Sequence, residues 1–203
     1  MPLIRKSSSI DCEAKGVIFD PQAALISANP DERYAAARAL ATKQEGIETL
    51  ARALTGETDA RVREAILTSL LQIDSARSVE LLLPYIRSEH AEIRTGVLDA
   101  LRTVPMETRR HIDFLLGDRE ADVRLLACDL LRDQRGEDAT AVLSALLDVE
   151  TDVNVCAAAL DVLAEVGTPM ALPALQRCRE RFLHSPFIVF AIHAAADRIG
   201  RQL

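Results

Sequence analysis

The sequence has no tryptophan, and aromatic residues make up only 3% of it. A core without large rings must be built from many small aliphatic contacts. Hydrophobic residues make up 49% of the chain, with alanine and leucine dominant. Both lose little side-chain freedom in a helix, so this composition suits close-packed helices. Lysine is scarce: Lys6, Lys15 and Lys43 are the only lysines among 24 basic residues. The remainder is arginine, the residue suited to fixed, partly buried ion pairs. No run reaches the roughly 18 apolar residues that a membrane span requires. The opening MPLIRKSSS also lacks the apolar stretch of a signal peptide. Cysteine appears four times, at Cys12, Cys128, Cys156 and Cys178, and never with Cys-x-x-Cys spacing. A reduced, cytoplasmic protein with no membrane partner is the reading these absences support. Positive charge is in deficit, with 31 acidic against 24 basic residues and a net charge of −7. Nucleic-acid binders carry a basic face to neutralise phosphate, so no nucleic-acid partner is expected.

What the chain has in abundance is repetition. DVRLLACDLL at Asp122–Leu131 has relatives at Asp31–Leu40 (DERYAAARAL), Ala60–Leu71 (ARVREAILTSLL) and Ala91–Leu101 (AEIRTGVLDAL). Two more follow at Asn154–Leu163 (NVCAAALDVL) and, more loosely, Pro186–Ala196 (PFIVFAIHAAA). Their leading positions are Glu32, Val62, Ile93, Val123, Val155 and Ile188, spaced by 30, 31, 30, 32 and 33 residues. A fixed period of this size is the signature of a solenoid, in which each unit buries its apolar face only against its neighbours.

Proline and glycine punctuate the repeats. Asp20-Pro21 supplies an N-cap followed by a proline that suits the first helical position. Asn29-Pro30 turns the chain, Thr58 or Asp59 caps the next long helix, and Gly167-Thr168-Pro169 is a stop-and-start signal. Each repeat then reads as a shorter helix A, a turn and a longer helix B. The expected units are residues 20–43, 44–74, 75–104, 105–135, 136–167 and 168–203, after a loosely ordered tail at 1–19. In that tail Ile10, Val17, Ile18 and Phe19 have the apolarity to fold back on the first repeat. Pro84 falls inside the third helix A and predicts a bend there. Helix B of the fourth repeat is expected over Glu120–Asp133.

ADVRLLACDLL, ARVREAILTSLL and NPDERYAAARAL together resemble the HEAT-like repeats of the phycobilisome lyase (PBS-lyase) family, over residues 20 to about 200. The resemblance implies an all-α fold: a right-handed α-α superhelix, a HEAT/armadillo-like solenoid of about six helix pairs. It implies that the B helices line a concave face. It also implies an Asp/Arg pair at the start of helix B. One branch of the family attaches bilins, which would call for a hydrophobic groove with a polar contact to the propionates; Tyr34 and Arg38 are of the right type.

Helical phase sorts the B helices. Counting the leading position as zero, positions 4, 5 and 8 belong to the core, with Leu40, Leu70, Leu101, Leu131 and Leu163 at position 8. This places Cys128 and His193 in the core. Position 1 is Arg33, Arg63, Arg94 and Arg124. An arginine ladder can bind an anion, or each arginine can tie to an acid such as Asp59, Glu92 or Asp122; the second reading is the expectation. Position 6 gives Arg38, Asp99, Asp129 and Asp161, so the three aspartates form a row about 10 Å apart. Arg102 and Arg132 lie three residues on, within reach of two of them. Position 2 gives Tyr34, Glu64, Leu125 and Phe190. The alternatives for this face are a solvated surface neutralised by its own arginines, or a groove for a cationic protein segment.

The last repeat is the compositional outlier, with Phe182, Phe187 and Phe190 among the chain's five phenylalanines. Either its own helix A buries them, or they form a C-terminal docking or homodimer interface. No phosphate loop, HExxH or His-Glu pair occurs, so no catalytic residue, metal or cofactor is assigned. The function expected is a non-catalytic protein-binding scaffold, with a bilin lyase-like enzyme or lyase-chaperone subunit as the alternative. The partner-binding residues expected on the concave face are Tyr34, Arg38, Glu64, Asp99, Arg102, Leu125, Asp129, Arg132 and Asp161.

Overall fold

The computed structural model describes residues 19–200; the tail residues Ile10, Cys12, Val17 and Ile18 lie outside them. Local sequence begins most helices. Asp20 accepts from the Gln22 N–H ahead of α1 (Pro21–Ala24), and Asn29 accepts from Asp31 ahead of α2 (Pro30–Leu40). After α3 (Ile47–Leu54), Asp59 takes the amides of Arg61 and Val62 and opens α4 (Ala60–Ile73). Asp74 then caps α5 (Ser75–Leu82), which precedes α6 (Ala91–Arg102). Pro105 starts α7 (Pro105–Leu116), and α8 (Ala121–Asp129) follows. α9 (Gly136–Val149) leads to α10 (Val153–Val166), capped by Asp152. The series ends with α11 (Leu172–Arg181) and α12 (Pro186–Gly200). Each side-chain cap satisfies amides that would otherwise lack a partner at the helix start.

Successive pairs stack into an all-α solenoid. The even-numbered B helices pack in a row, α2 on α4, α4 on α6, α8 on α10 and α10 on α12. Leu40, Leu70, Leu101, Leu131 and Leu163 form a fully buried column through the stack, joined by Val62, Val97, Ala127, Val155 and Ala159. Buried hydroxyls bind the loose ends of the B helices: Ser78 Oγ donates to the Leu70 carbonyl at 2.6 Å and Thr108 Oγ1 to the Leu101 carbonyl at 2.8 Å. At the joint between the third and fourth repeats, α6 and α8 approach each other less closely than their neighbours do. Salt bridges from Arg87 to Asp118 and from Arg102 to Asp129 span it.

Three local readings meet the structure differently. The bend at Pro84 takes the form of a 3-10 turn, Leu83–Arg87, that continues from the end of α5. α8 stops at Asp129 rather than Asp133, because its last turn tightens: the Leu131 amide donates to the Cys128 carbonyl and Arg132 to Asp129. At the start of α9 the backbones approach closely: a Cβ on Gly136 would sit 2.5 Å from the Val166 carbonyl oxygen. His193, placed in the core by phase, is exposed. Position 5 faces the following repeat, which buries Leu67, Leu98, Cys128 and Leu160; α12 is the last described helix, and no described residue beyond it covers His193.

Candidate functional site

The arginines at position 1 hold the fold together. Arg33 grips Glu57 of the next repeat through Nε and Nη2, at 2.7 and 2.8 Å, while Nη1 donates to the Ser27 carbonyl at 2.9 Å. Arg124 repeats the arrangement on Glu150, at 2.7 and 3.0 Å, and on the Asp118 carbonyl at 2.9 Å. Arg63 and Arg94 donate to the loop carbonyls of Thr58 and Ser88, at 2.8 and 2.7 Å. Asp59, Glu92 and Asp122 are therefore not the partners; the Asp59 carboxylate is already engaged by the amides of α4. The carboxylates used were missed: they stand five residues before the leading position, where Ser27, Glu57, Ser88, Asp118 and Glu150 supply an acceptor in five of six repeats. In the fifth repeat Cys156 replaces the arginine. Arg181 of α11 substitutes for it by donating to the carbonyls of Leu147, Asp148 and Glu150.

These buried acids are held ionised. The Arg33 guanidinium, helped by the amides of Asp59 and Thr58, outweighs burial and lowers the Glu57 pKa from its ordinary 4.5. Burial pushes Glu150 up, but Arg124 and the amides of Asp152 and Thr151 together pull it below that value.

Position 6 forms a continuous zigzag with the arginines at position 9. Arg102 donates to Asp99 at 2.8 Å and also reaches Asp129 across the joint. Arg132 takes Asp129 at 2.8 Å, then Asp161 and Glu165 of the next repeat, each at 2.5 Å. Burial works against the charge on Arg132, but Asp129, Asp161 and Glu165 together raise its pKa above the ordinary guanidinium value. The aspartate row is thus largely neutralised by its own arginines, and it is not an open acidic strip.

The row divides the B-helix face into two cavities. One, about 850 Å³, lies between α4 and α6 and is lined by Glu64, Leu67, Thr68, Glu92, Gly96 and Asp99, among others. The other, about 660 Å³, lies between α8, α10 and α12; Leu125, Ala157, Asp161, Phe187, Phe190 and Arg198 line it. The predicted residues therefore fall into separate groups. Glu64 and Asp99 share the first cavity; Leu125 and Asp161 share the second; Arg102, Asp129 and Arg132 stand between them. Tyr34 and Arg38 belong to neither. Tyr34 is half-buried with the Arg61 guanidinium 5.0 Å from its ring centre, and Arg38 is exposed on the first B helix.

The three phenylalanines also part company. Phe187 and Phe190, 58% and 72% exposed, project into the second cavity. Phe182 instead packs against the core, with Arg181 at 5.6 Å from its ring. The aromatic pair and the predicted groove residues Leu125 and Asp161 thus make one surface. The signal was in the sequence: Phe187 and Phe190 occupy positions −1 and 2, the phase of the groove.

The described cysteines, Cys128, Cys156 and Cys178, are all buried. Burial pushes the Cys128 thiol up to about 12, far from the thiolate that nucleophilic chemistry requires. Among the described residues, no group of three His, Cys, Asp or Glu side chains is placed to hold a metal ion, and no helix is long and apolar enough to cross a membrane.

Among solved structures, the chain is similar to an engineered protein at 18% identity, covering 90% of this chain and 96% of that one with a TM-score of 0.46. A designed armadillo repeat protein matches at 16% identity over 88% and 98% of the two chains, with a TM-score of 0.41. The complex of CpcE and CpcF of phycocyanin lyase from Nostoc matches at 14% identity over 98% and 100%, with a TM-score of 0.36. Among curated proteins none matches the sequence. The family model for HEAT repeats matches residues 22–102 and 109–181, which leaves out the turn at the joint between α6 and α7. With its buried leucine column, its arginine ties between repeats and this match over most of its length, the chain belongs to the HEAT repeat family.

Proposed function

We propose that this chain is a non-catalytic protein-binding module that holds a segment of a partner protein on its B-helix face. One observation carries the reading. Phe187 and Phe190 stand mostly exposed beside Leu125 and Ala157 in a cavity of about 660 Å³, whereas other exposed large apolar residues, such as Met106, Phe114 and Met170, line neither B-helix cavity. An apolar cavity with aromatic walls and a few charges at its edge is the makeup of an interface anchor site. Asp161 and Arg198 supply those charges. The bilin lyase-like alternative finds less support, since Tyr34 and Arg38 lie on the first repeat, away from this apolar cavity.

The test uses the full chain as bait in extracts of its native host, with Phe190→Asp and Phe114→Asp beside the wild type. Phe114 is equally exposed but sits on an A helix. A partner captured by the wild type and by Phe114→Asp, and lost with Phe190→Asp, is the expected result. A partner retained equally by all three sinks the proposal. Light scattering of the purified chain separates a self-association: a dimer abolished by Phe187→Asp would assign the groove to a second copy.

A further inference from the structure

The cavity between α4 and α6 has a different chemistry from the one just assigned. Its floor is aliphatic, with Leu67 and Leu71, and Gly96 lets the helices close behind it, since a Cβ there would stand 3.2 Å from Leu67 Cδ1. Its rim is acidic: Glu64, Glu92 and Asp99 face one cation, Arg63. The Arg63 guanidinium is turned to the carbonyls of Thr58 and Glu57, and Asp99 is engaged by Arg102. Glu64 and Glu92 are exposed and make no ion pair among the described residues.

An aliphatic floor beneath an unbalanced acidic rim matches a long-chain cation. The methylenes lie along the leucines and the charged head stays among the carboxylates. A neutral apolar group would desolvate the carboxylates without pairing them, and an acidic one would be repelled. We infer that this cavity receives a lysine or arginine side chain of the same partner segment, an inference that rests on the B-helix face being the protein-binding surface. The two cavities are about two and a half B-helix steps apart, roughly 25 Å at ~10 Å per step. That is the length of about seven extended residues. The segment therefore carries its basic residue about seven positions from its apolar anchor.

Two small probes test the cavity without the partner. n-Hexylammonium and n-hexanol are titrated into the 15N-labelled full chain at pH 7. The expected result is saturable shifts of the Gly96 and Thr95 amides with the cation, and at least about threefold weaker binding of the alcohol. The Glu64→Gln/Glu92→Gln double variant should bind the cation about three- to tenfold more weakly, the effect of two exposed charges, with the rest of its spectrum unchanged. Equal responses to both probes, an undiminished response in the double variant, or none at Gly96 would overturn the inference. A displayed library of random peptides about twelve residues long separates this failure from that of the groove. Peptides selected on the wild type should show an apolar anchor and a distant basic residue, losing the first preference on Phe190→Asp and the second on the double variant. An anchor without the basic preference sinks the cation site alone. Selection indifferent to Phe190→Asp, or no selection at all, sinks the groove reading and the cation site with it.

Discussion

The two ends of the B-helix face are made from the same repeat and have opposite chemistry. In the second and third repeats, positions 2 and 6 are Glu64, Thr68, Thr95 and Asp99, all polar and exposed. In the last three repeats the corresponding side includes Leu125, Ala157, Phe190 and Ala194. The helix phase and the buried leucine column are common to both. A solenoid thus holds its outward positions in fixed places while leaving their chemistry free, because stacking needs only the inward stripe. The Arg102–Asp129–Arg132 zigzag lies between the two regimes and offsets its own charge.

The comparison can be broken most forcefully at the shared core. Leu131→Ala should destabilise the chain by about 2–5 kcal/mol in chemical denaturation. One cooperative transition is expected; an early, separate loss of the C-terminal helices would show that the two halves fold as distinct units. Next in size are the ties between repeats. Glu57→Gln or Glu150→Gln leaves a partly buried guanidinium without its charge partner and should cost about 1–3 kcal/mol.

The same pairs set a pH dependence. Both carboxylates have lower pKa values in the fold than the ordinary 4.5. The unfolded chain therefore binds protons first, so their stabilisation is complete above that ordinary value and is lost as pH falls through the lower folded values. Denaturation midpoints should fall between about pH 5 and 3 in the wild type, and fall less in Glu57→Gln.

Binding sharpens the contrast further. Phe190→Asp should weaken the partner at least about tenfold, as loss of an anchor does, and Glu64→Gln by only a few-fold. Both should leave stability within about 0.5 kcal/mol of the wild type, being exposed. The smallest effect is expected in the zigzag. Arg132→Met should cost about 1 kcal/mol or less, diminishing with added salt, since its pairs are partly open to water.

Much of this was legible in the residues. The caps at Asp20 and Asp59, the turn at Asn29-Pro30 and the leucine column follow from the local sequence, because each is a local consequence of residue type and helix geometry. The site was legible only in part. Phase set Glu64, Asp99, Leu125 and Asp161 on one face, yet it could not say that Asp99 and Leu125 line different cavities. It also misplaced His193, because burial at position 5 depends on a following repeat. The acids that bind Arg33 and Arg124 were missed because each lies in the next repeat, 24 and 26 residues away.

The sequence by itself determined the repeat, the helices and the inward stripe, since an apolar helical face recurring at a fixed period is buried by stacking against the neighbouring repeats. Only the tertiary structure decided which charges cancel and which remain. Arg102 and Arg132 neutralise the aspartate row by reaching across to neighbouring helices, and that distance is set by how the repeats stack. Glu64 and Glu92 are left without an ion pair, and Phe187 and Phe190 exposed, because among the described residues none of an adjacent helix covers them.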